Sequence, residues 1–189
     1  KSAPFGHDAR GLGEMSFVNT VVGHPTLTTL KYPLPGDDKI FMIERVVIDV
    51  DQKKVVKINL PVDPHRSTLC VHSACGGTWS VVQWSADSKE VAFVSTSRDH
   101  KREDMRVADA ASGAVRNILS ERAETFFESG QGRVNWRYLP QSKEVLWYSR
   151  KDDWGHLYLH DASSAMQKNR ITTGEGNEGW DEYAAFYDW

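Results

Sequence analysis

Four side chains that bind soft metals fall close together in this chain: His65, Cys70, His72 and Cys75. Zinc takes such nitrogen and sulfur ligands in a tetrahedral set. The spacing His-x4-Cys-x-His-x2-Cys matches no common finger, although in a strand Cys70 and His72 would share one face. No metal is expected here. Cys70 and Cys75 are the two cysteines of the chain, and they read as a small disulfide loop or as free structural thiols.

Gly174-Glu175-Gly176-Asn177-Glu178-Gly179 has the frame of a dinucleotide-binding loop, which requires a strand before it and a helix after it. Two glutamates would face a pyrophosphate, and Trp180-Asp181-Glu182-Tyr183 starts no apolar helix, so the stretch reads as a loop and no cofactor is expected. Asp37-Asp38 and Asp152-Asp153 offer paired carboxylates for acid–base or cation chemistry. Both pairs lie among turn residues, where aspartate bonds nearby backbone amides, and a structural role is expected. Trp154 and His156 are expected to pack, His156 bonded to a neighbouring strand. Trp79, Trp84, Trp136 and Trp147 could line a ligand groove, but large aromatics supply much of the buried area in β architectures, and core packing is the expected use.

The elements that must carry these residues are short. From Pro25 onward, apolar runs rich in Val, Ile, Tyr, Phe and Trp alternate with turn clusters. Examples are Ile40–Val50, Val91–Ser95, Met105–Ala108 and Val145–Ser149, separated by Pro35-Gly36-Asp37-Asp38, Ser85-Ala86-Asp87-Ser88 and Ala111-Ser112-Gly113. That is the pattern of many antiparallel strands. Residues 1–24 show little periodicity and are expected to be irregular. Arg122-Ala123-Glu124 and Ser163-Ser164-Ala165 could each make one helical turn, without a sustained helical stripe.

The strands repeat. Ser88-Lys89-Glu90-Val91 returns as Ser142-Lys143-Glu144-Val145. A second element, strand–Asp–small turn–strand, occurs around Asp49, Asp109 and Asp161. Both elements give a period of roughly 50 residues, the spacing of propeller blades built from about four strands each. The expected fold is all-β: a partial β-propeller of about three to four blades of four-stranded antiparallel sheets, over residues 25–189.

Net charge is −3, with basic and acidic residues interspersed, which argues against nucleic acid as a partner. The densest basic run, Arg98-Asp99-His100-Lys101-Arg102, is followed by Glu103 and Asp104 and reads as a solvated hairpin tip. No apolar run approaches the roughly 20 residues that span a bilayer. Lys1 opens onto a polar, glycine-containing stretch without the pattern of a secretory leader. The chain therefore reads as an excised or processed piece.

Lys31–Asp37, Trp84–Ser88, Met105–Ile118 and Ser149–Leu159 together resemble the propeller of dipeptidyl-peptidase-IV-like peptidases, in the prolyl oligopeptidase clan (serine peptidase family S9). Lys31-Tyr32-Pro33-Leu34-Pro35-Gly36-Asp37 is similar to that family's Tyr-Pro…Gly segment, and Trp84-Ser85-Ala86-Asp87-Ser88 to its Trp-Ser-Pro-Asp-Gly turn. Arg98 and then Met105 to Ile118 resemble the following Arg…strand-Asp…Gly…Arg stretch. The most specific part is Ser149-Arg150-Lys151-Asp152-Asp153-Trp154-Gly155-His156-Leu157-Tyr158-Leu159, closed by Ile171-Thr172-Thr173-Gly174.

The resemblance implies a propeller that caps a C-terminal α/β-hydrolase domain and admits peptide substrates to it. It suggests a periplasmic or otherwise exported parent. The hydrolase of that family carries its serine on a Gly-x-Ser-x-Gly elbow. Ser129-Gly130-Gln131-Gly132 lacks that frame, and no residue of this chain is expected to be catalytic. The family's acidic pair, which binds the substrate's amino group, has no counterpart, Asp8 and Glu14 being isolated. A substrate-facing loop is expected at Glu128–Arg133, with Glu128, Gln131 and Arg133 as its candidate contacts. The alternatives are a propeller scaffold for protein–protein contact and the cap of a related oligopeptidase or acylaminoacyl peptidase. Open blade edges imply self-association.

Overall fold

The computed structural model describes residues 13–19, 26–32, 34, 36–64, 74–75, 78–79, 82–125, 127 and 136–174. The chain divides into two compact units, Lys1–Ile43 and Glu44–Trp189. All regular structure among the described residues is strand. No helix there is long and apolar enough to cross a membrane.

In the first unit, β1 (Gly13–Asn19) pairs antiparallel with β2 (Thr26–Tyr32), Gly13 opposite Tyr32 and Asn19 opposite Thr26. Residues 1–24 were expected to be irregular, and β1 corrects that expectation. Ser16 and Val18 are exposed, and the strand is supported laterally by its pairing with β2. Its partner is β-branched at Thr26, Thr28 and Thr29, and the Ser16 and Thr29 hydroxyls lie 2.9 Å apart across the pair. Downstream, Leu34 N donates to the Asp37 carboxylate at 2.7 Å and Asp37 N to Leu34 O at 3.1 Å. Gly36 takes φ +90 within that turn, a region open to glycine. β3 (Met42–Ile43) ends the unit.

The second unit opens with a hairpin of β4 (Val46–Asp49) and β5 (Lys54–Lys57). Short strands β6 (Asp63–Pro64), β7 (Ala74–Cys75) and β8 (Thr78–Trp79) follow, β7 pairing with β8. Two four-stranded meanders come next. One is built from β9 (Val82–Trp84), β10 (Glu90–Thr96), β11 (Arg102–Asp109) and β12 (Val115–Arg122). The other is built from β13 (Trp136–Leu139), β14 (Glu144–Asp152), β15 (Trp154–Asp161) and β16 (Gln167–Arg170). In both sheets every strand is bonded to its sequence neighbours, which is how a propeller blade is wound.

The repeat seen in the sequence is a repeat of backbone. At Asp49, Asp109 and Asp161 the carboxylate accepts from the amides two and three residues on, at 2.7–3.1 Å. Four residues after each aspartate the chain turns through positive φ, at Lys53, Gly113 and Ala165. The residue before each aspartate has the same partner in register: Ile48 opposite Val55, Ala108 opposite Val115, His160 opposite Gln167. The first turn of each sheet also matches, with Trp84 opposite Val91 and Tyr138 opposite Val145. Main-chain bonds tie the turns alike, Ala110 N to Lys89 O and Ala162 N to Lys143 O, both at 2.8 Å. At 163–165 the chain therefore makes this aspartate turn, and Arg122 belongs to β12; neither forms a helical turn.

The sheet β9–β12 is buried on both faces, and alternate residues of one strand go to different layers. Ala92, Val94, Met105, Val107 and Ile118 join Trp136, Tyr138, Val145, Trp147 and Ala162 in a layer shared with the sheet β13–β16. Val91, Phe93 and Ala108 pack instead with Ile58, against Val47 and Leu60 of the β4–β5 region. Double-sided burial is why these strands read as continuous apolar runs. The stack is close: Asn59 N donates to Gly113 O at 2.9 Å, and a Cβ on Gly113 would fall 2.2 Å from Lys57 O.

Candidate functional site

Antiparallel winding puts alternate turns at opposite ends of a sheet. One end of the two four-stranded sheets carries the turns at Asp87, Asp109 and Asp161. The other carries the turn between β10 and β11, the chain leaving β12, and the junction of β14 with β15. The sequence-predicted substrate contacts Glu128, Gln131 and Arg133 lie outside the described residues. Their flanks do not. Ala123 N donates to Lys101 O at 2.9 Å and Phe127 N to His100 O at 2.7 Å, so the chain entering the candidate loop is held against the β10–β11 turn. Trp136, which opens β13, is where it returns.

That turn is built like its counterpart at the opposite end. Ser97 Oγ donates to Asp99 at 2.5 Å, and Lys101 N donates to the same carboxylate at 3.1 Å. Ser85 and Asp87 repeat the arrangement, with Lys89 N as the amide donor. The serine hydroxyl is the first cause holding Asp99 and Asp87 below the ordinary aspartate pKa, and the backbone amide adds to it. Asp109 is lowered chiefly by the Ser112 hydroxyl, and Asp161 chiefly by the Ser164 amide. These carboxylates are ionised turn caps. Around the rim, Arg98, Arg102, Arg122, Arg150, Lys151 and Trp154 are exposed. Guanidinium and ammonium groups with an aromatic face can meet the carbonyls of an extended chain.

Several polar groups between the sheets are engaged with each other. Glu121 accepts from Trp147 Nε1 at 2.7 Å and from Ser149 Oγ at 2.6 Å. The Gln83 amide donates to Trp136 O at 3.2 Å and accepts from Tyr138 N at 2.9 Å. Arg116 donates to Ala162 O at 2.7 Å and Glu90 at 3.0 Å, and Tyr138 donates to Glu90 at 2.5 Å. Burial first, then the Glu90 carboxylate, pushes the Tyr138 hydroxyl above its ordinary pKa. On the other side, Asp63 binds Arg45 and accepts from Ser95 Oγ at 2.5 Å, with Arg45 stacked 4.6 Å over Phe93. These contacts clasp sheets.

The Trp154–Leu159 run divides by position. His156 is buried, its Nδ1 3.1 Å from the Thr172 hydroxyl, which also accepts from Leu157 N at 3.0 Å. This is the tie to the neighbouring segment that the sequence suggests. Trp154 is 44% exposed, against the expectation of packing. It sits at an irregular junction, opposite Asp152, where the sheet ends. Trp84 is likewise half-exposed, whereas Trp136 and Trp147 are core; for Trp79 only the backbone is described. Gly155 is needed for packing, since a Cβ there would fall 1.8 Å from the Tyr148 hydroxyl. Asp152 accepts from the Tyr158 hydroxyl at 2.6 Å and pairs with Arg170 at 3.8 Å. Burial and then Asp152 push Tyr158 up to about 12. Asp37 and Asp152 thus serve local structure.

His160 was not singled out by sequence, because a histidine beside an aspartate turn looks solvated. It is 4% exposed, and neither ring nitrogen has a hydrogen-bond partner. Burial, and secondarily the Lys151 charge, brings it down to about 4. Among the described residues no three His, Cys, Asp or Glu side chains gather as a metal site. His65, Cys70 and His72 lie outside those residues, only the backbone of Cys75 is described, and the Gly-x-Gly-x-x-Gly stretch is described only at Gly174.

Comparison with known proteins places this geometry. Residues 7–185 match the family described as the dipeptidyl peptidase IV (DPP IV) N-terminal region. Among solved structures, Porphyromonas gingivalis dipeptidyl peptidase 4 is similar, with a TM-score of 0.61 and 18% identity over 87% of this chain and 21% of that one. A putative dipeptidyl aminopeptidase IV from Bacteroides ovatus ATCC 8483 matches with a TM-score of 0.56 and 16% identity, over 84% of this chain and 20% of that one. The chain thus spans about a fifth of the length of the solved relatives it matches.

Proposed function

The chain belongs to the dipeptidyl peptidase IV N-terminal region family, and from that premise we propose that it is the non-catalytic propeller portion of a dipeptidyl-peptidase-IV-like serine exopeptidase. Its part is to gate and position peptide substrates for an α/β-hydrolase domain outside this chain. The observation that carries the reading is the stacked pair of sheets, tied by hydrogen bonds at Glu121, Gln83 and Arg116. Such a body supplies a wall and a rim to a substrate chamber and leaves the chemistry elsewhere. Phe127, just before Glu128, is bonded to His100 at the rim, and this supports a substrate-facing role for Glu128, Gln131 and Arg133.

Fluorophosphonate labelling of the full-length protein, with the modified peptide mapped by mass spectrometry, tests the reading. Such probes phosphonylate activated serines, with loss of fluoride. The expected outcome is one label on a Gly-x-Ser-x-Gly serine outside these residues, together with release of amino-terminal dipeptides. A folded full-length protein that takes no label would overturn the proposal in favour of a protein–protein scaffold.

A further inference from the structure

We infer that Asp153 and Trp154, at the tip of the β14–β15 hairpin, form a specificity site for a basic side chain of the peptide substrate. The carboxylate meets the positive charge, and the indole face covers the stem that carries it. The inference rests on the reading of this chain as the substrate-positioning part of a peptidase, and it names a substrate class for that reading.

The tip differs from the one beside it. Both hairpins start in one register, Glu90 opposite Asp109 and Glu144 opposite Asp161. The second closes two residues sooner: Ser95 faces Asp104, whereas Ser149 faces His156. In the longer hairpin the Asp99 carboxylate is committed to its own turn, accepting from Ser97 Oγ and Lys101 N. In the shorter one a single residue, Asp153, makes the reversal between β14 and β15, at φ +70. That left-handed conformation is uncommon for a residue with a side chain. Asp153 is exposed and, among the described residues, takes part in no hydrogen bond or ion pair. Unlike Asp99, it caps nothing.

The groups around the tip are fixed. Asp152 accepts from the Tyr158 hydroxyl and pairs with Arg170. Gly155 backs onto the Tyr148 hydroxyl, which also accepts from Arg150 Nε at 3.4 Å. Lys151 lies with Nζ 4.0 Å over the Tyr158 ring and donates to Gln167. On the neighbouring hairpin Arg102 pairs with Asp104 at 3.0 Å. The cations of the β14–β15 hairpin thus have partners inside their own sheet. What the tip presents without a partner, among the described residues, is one carboxylate and one half-exposed indole. Both attract a cation, the indole through the negative face of its ring, and an indole also covers the methylenes of Lys or Arg.

Release of amino-terminal dipeptides by the full-length protein tests this, on short peptides that share their first two residues and carry either Lys or uncharged norleucine at one later position. The readout is the ratio of kcat/KM for the two peptides within each variant, which does not depend on the amount of folded enzyme. At one position Lys is expected to be favoured about two- to fivefold, the worth of an exposed cation–π contact. The ratio should fall towards one in Trp154→Ala and in Asp153→Asn, and persist in Trp84→Ala at the opposite end of the sheets. A ratio near one at every position, a preference for norleucine, or a Lys preference that survives Trp154→Ala overturns the inference. Oxidative footprinting of the full-length protein without peptide gives a second reading, with buried Trp147 as reference. Trp154 should label well above Trp147; equal protection overturns the inference, because another part of the polypeptide then covers the tip. Dipeptide release without a Lys preference sinks the inference alone, whereas no release and no fluorophosphonate label sinks the peptidase reading and the inference with it.

Discussion

Glu121 on β12 accepts a hydrogen bond from the indole Nε1 of Trp147 on β14 at 2.7 Å, across the seam between the two four-stranded sheets. The second carboxylate oxygen takes the Ser149 hydroxyl at 2.6 Å. One side chain thus anchors Trp147, the largest fully buried residue among the described ones, across the seam.

Glu121→Ala should leave the Trp147 and Ser149 donors without their acceptor inside the seam. An orphaned buried donor costs about 1–3 kcal/mol. The expected outcome is a lower urea midpoint with an unchanged slope, followed by tryptophan fluorescence. An unchanged midpoint would show that solvent replaces the carboxylate.

Gly155→Ala should destabilise by about 1–3 kcal/mol, the usual cost of forcing an extra carbon into a packed site. The added carbon would sit 1.8 Å from the Tyr148 hydroxyl and 2.4 Å from Cζ. Tyr148→Phe in that background should recover only part of the loss, because the ring carbon still clashes. Thermal melts of the two single variants and the double variant measure the coupling.

Stability should fall as pH drops from about 6.5 to about 4, by way of His160. Its folded pKa is depressed, so in that window the unfolded chain binds the proton and the folded chain does not. The contribution of neutral His160 is complete above about 6.5 and is lost progressively towards about 4. His160→Ala, which copies Ala108, should flatten that part of the profile. The turn aspartates Asp87, Asp99, Asp109 and Asp161 are held below their ordinary value and lose their contribution only at lower pH. Denaturant midpoints read from neutral pH to well below 4 separate the two effects.

Gln83→Leu should cost about 1–3 kcal/mol, because the Tyr138 amide and the Trp136 carbonyl lose their cross-sheet partner together. Amide exchange should quicken at Tyr138 first. Equal protection in the variant would mean that β13 is held by its apolar side chains alone.

Most of the strands and their turns were legible in the sequence, because both are local. Alternation and short apolar runs located β2, β10, β11 and β14, and the aspartate turn recurs because one carboxylate caps its own neighbouring amides wherever it sits. One strand was missed: β1 lies in a glycine-containing stretch with little periodicity. β16 reads Gln-Lys-Asn-Arg and is exposed at every position, so it was placed by the repeat around Asp161 and not by an apolar pattern.

Residue types and their order along the chain determined that this protein is built of repeated short strands, that its turns close on Asp49, Asp109 and Asp161, and that it carries the motifs of its family. Only the tertiary structure decided which side chains those strands would bury. Ile48, Ala108 and His160 hold one position, yet one is exposed and two are enclosed; Trp147 is core while Trp84 and Trp154 are half open. Backbone pattern is set within a few residues, whereas burial is set by what stacks on a sheet, and that neighbour comes from some 50 residues away in the chain.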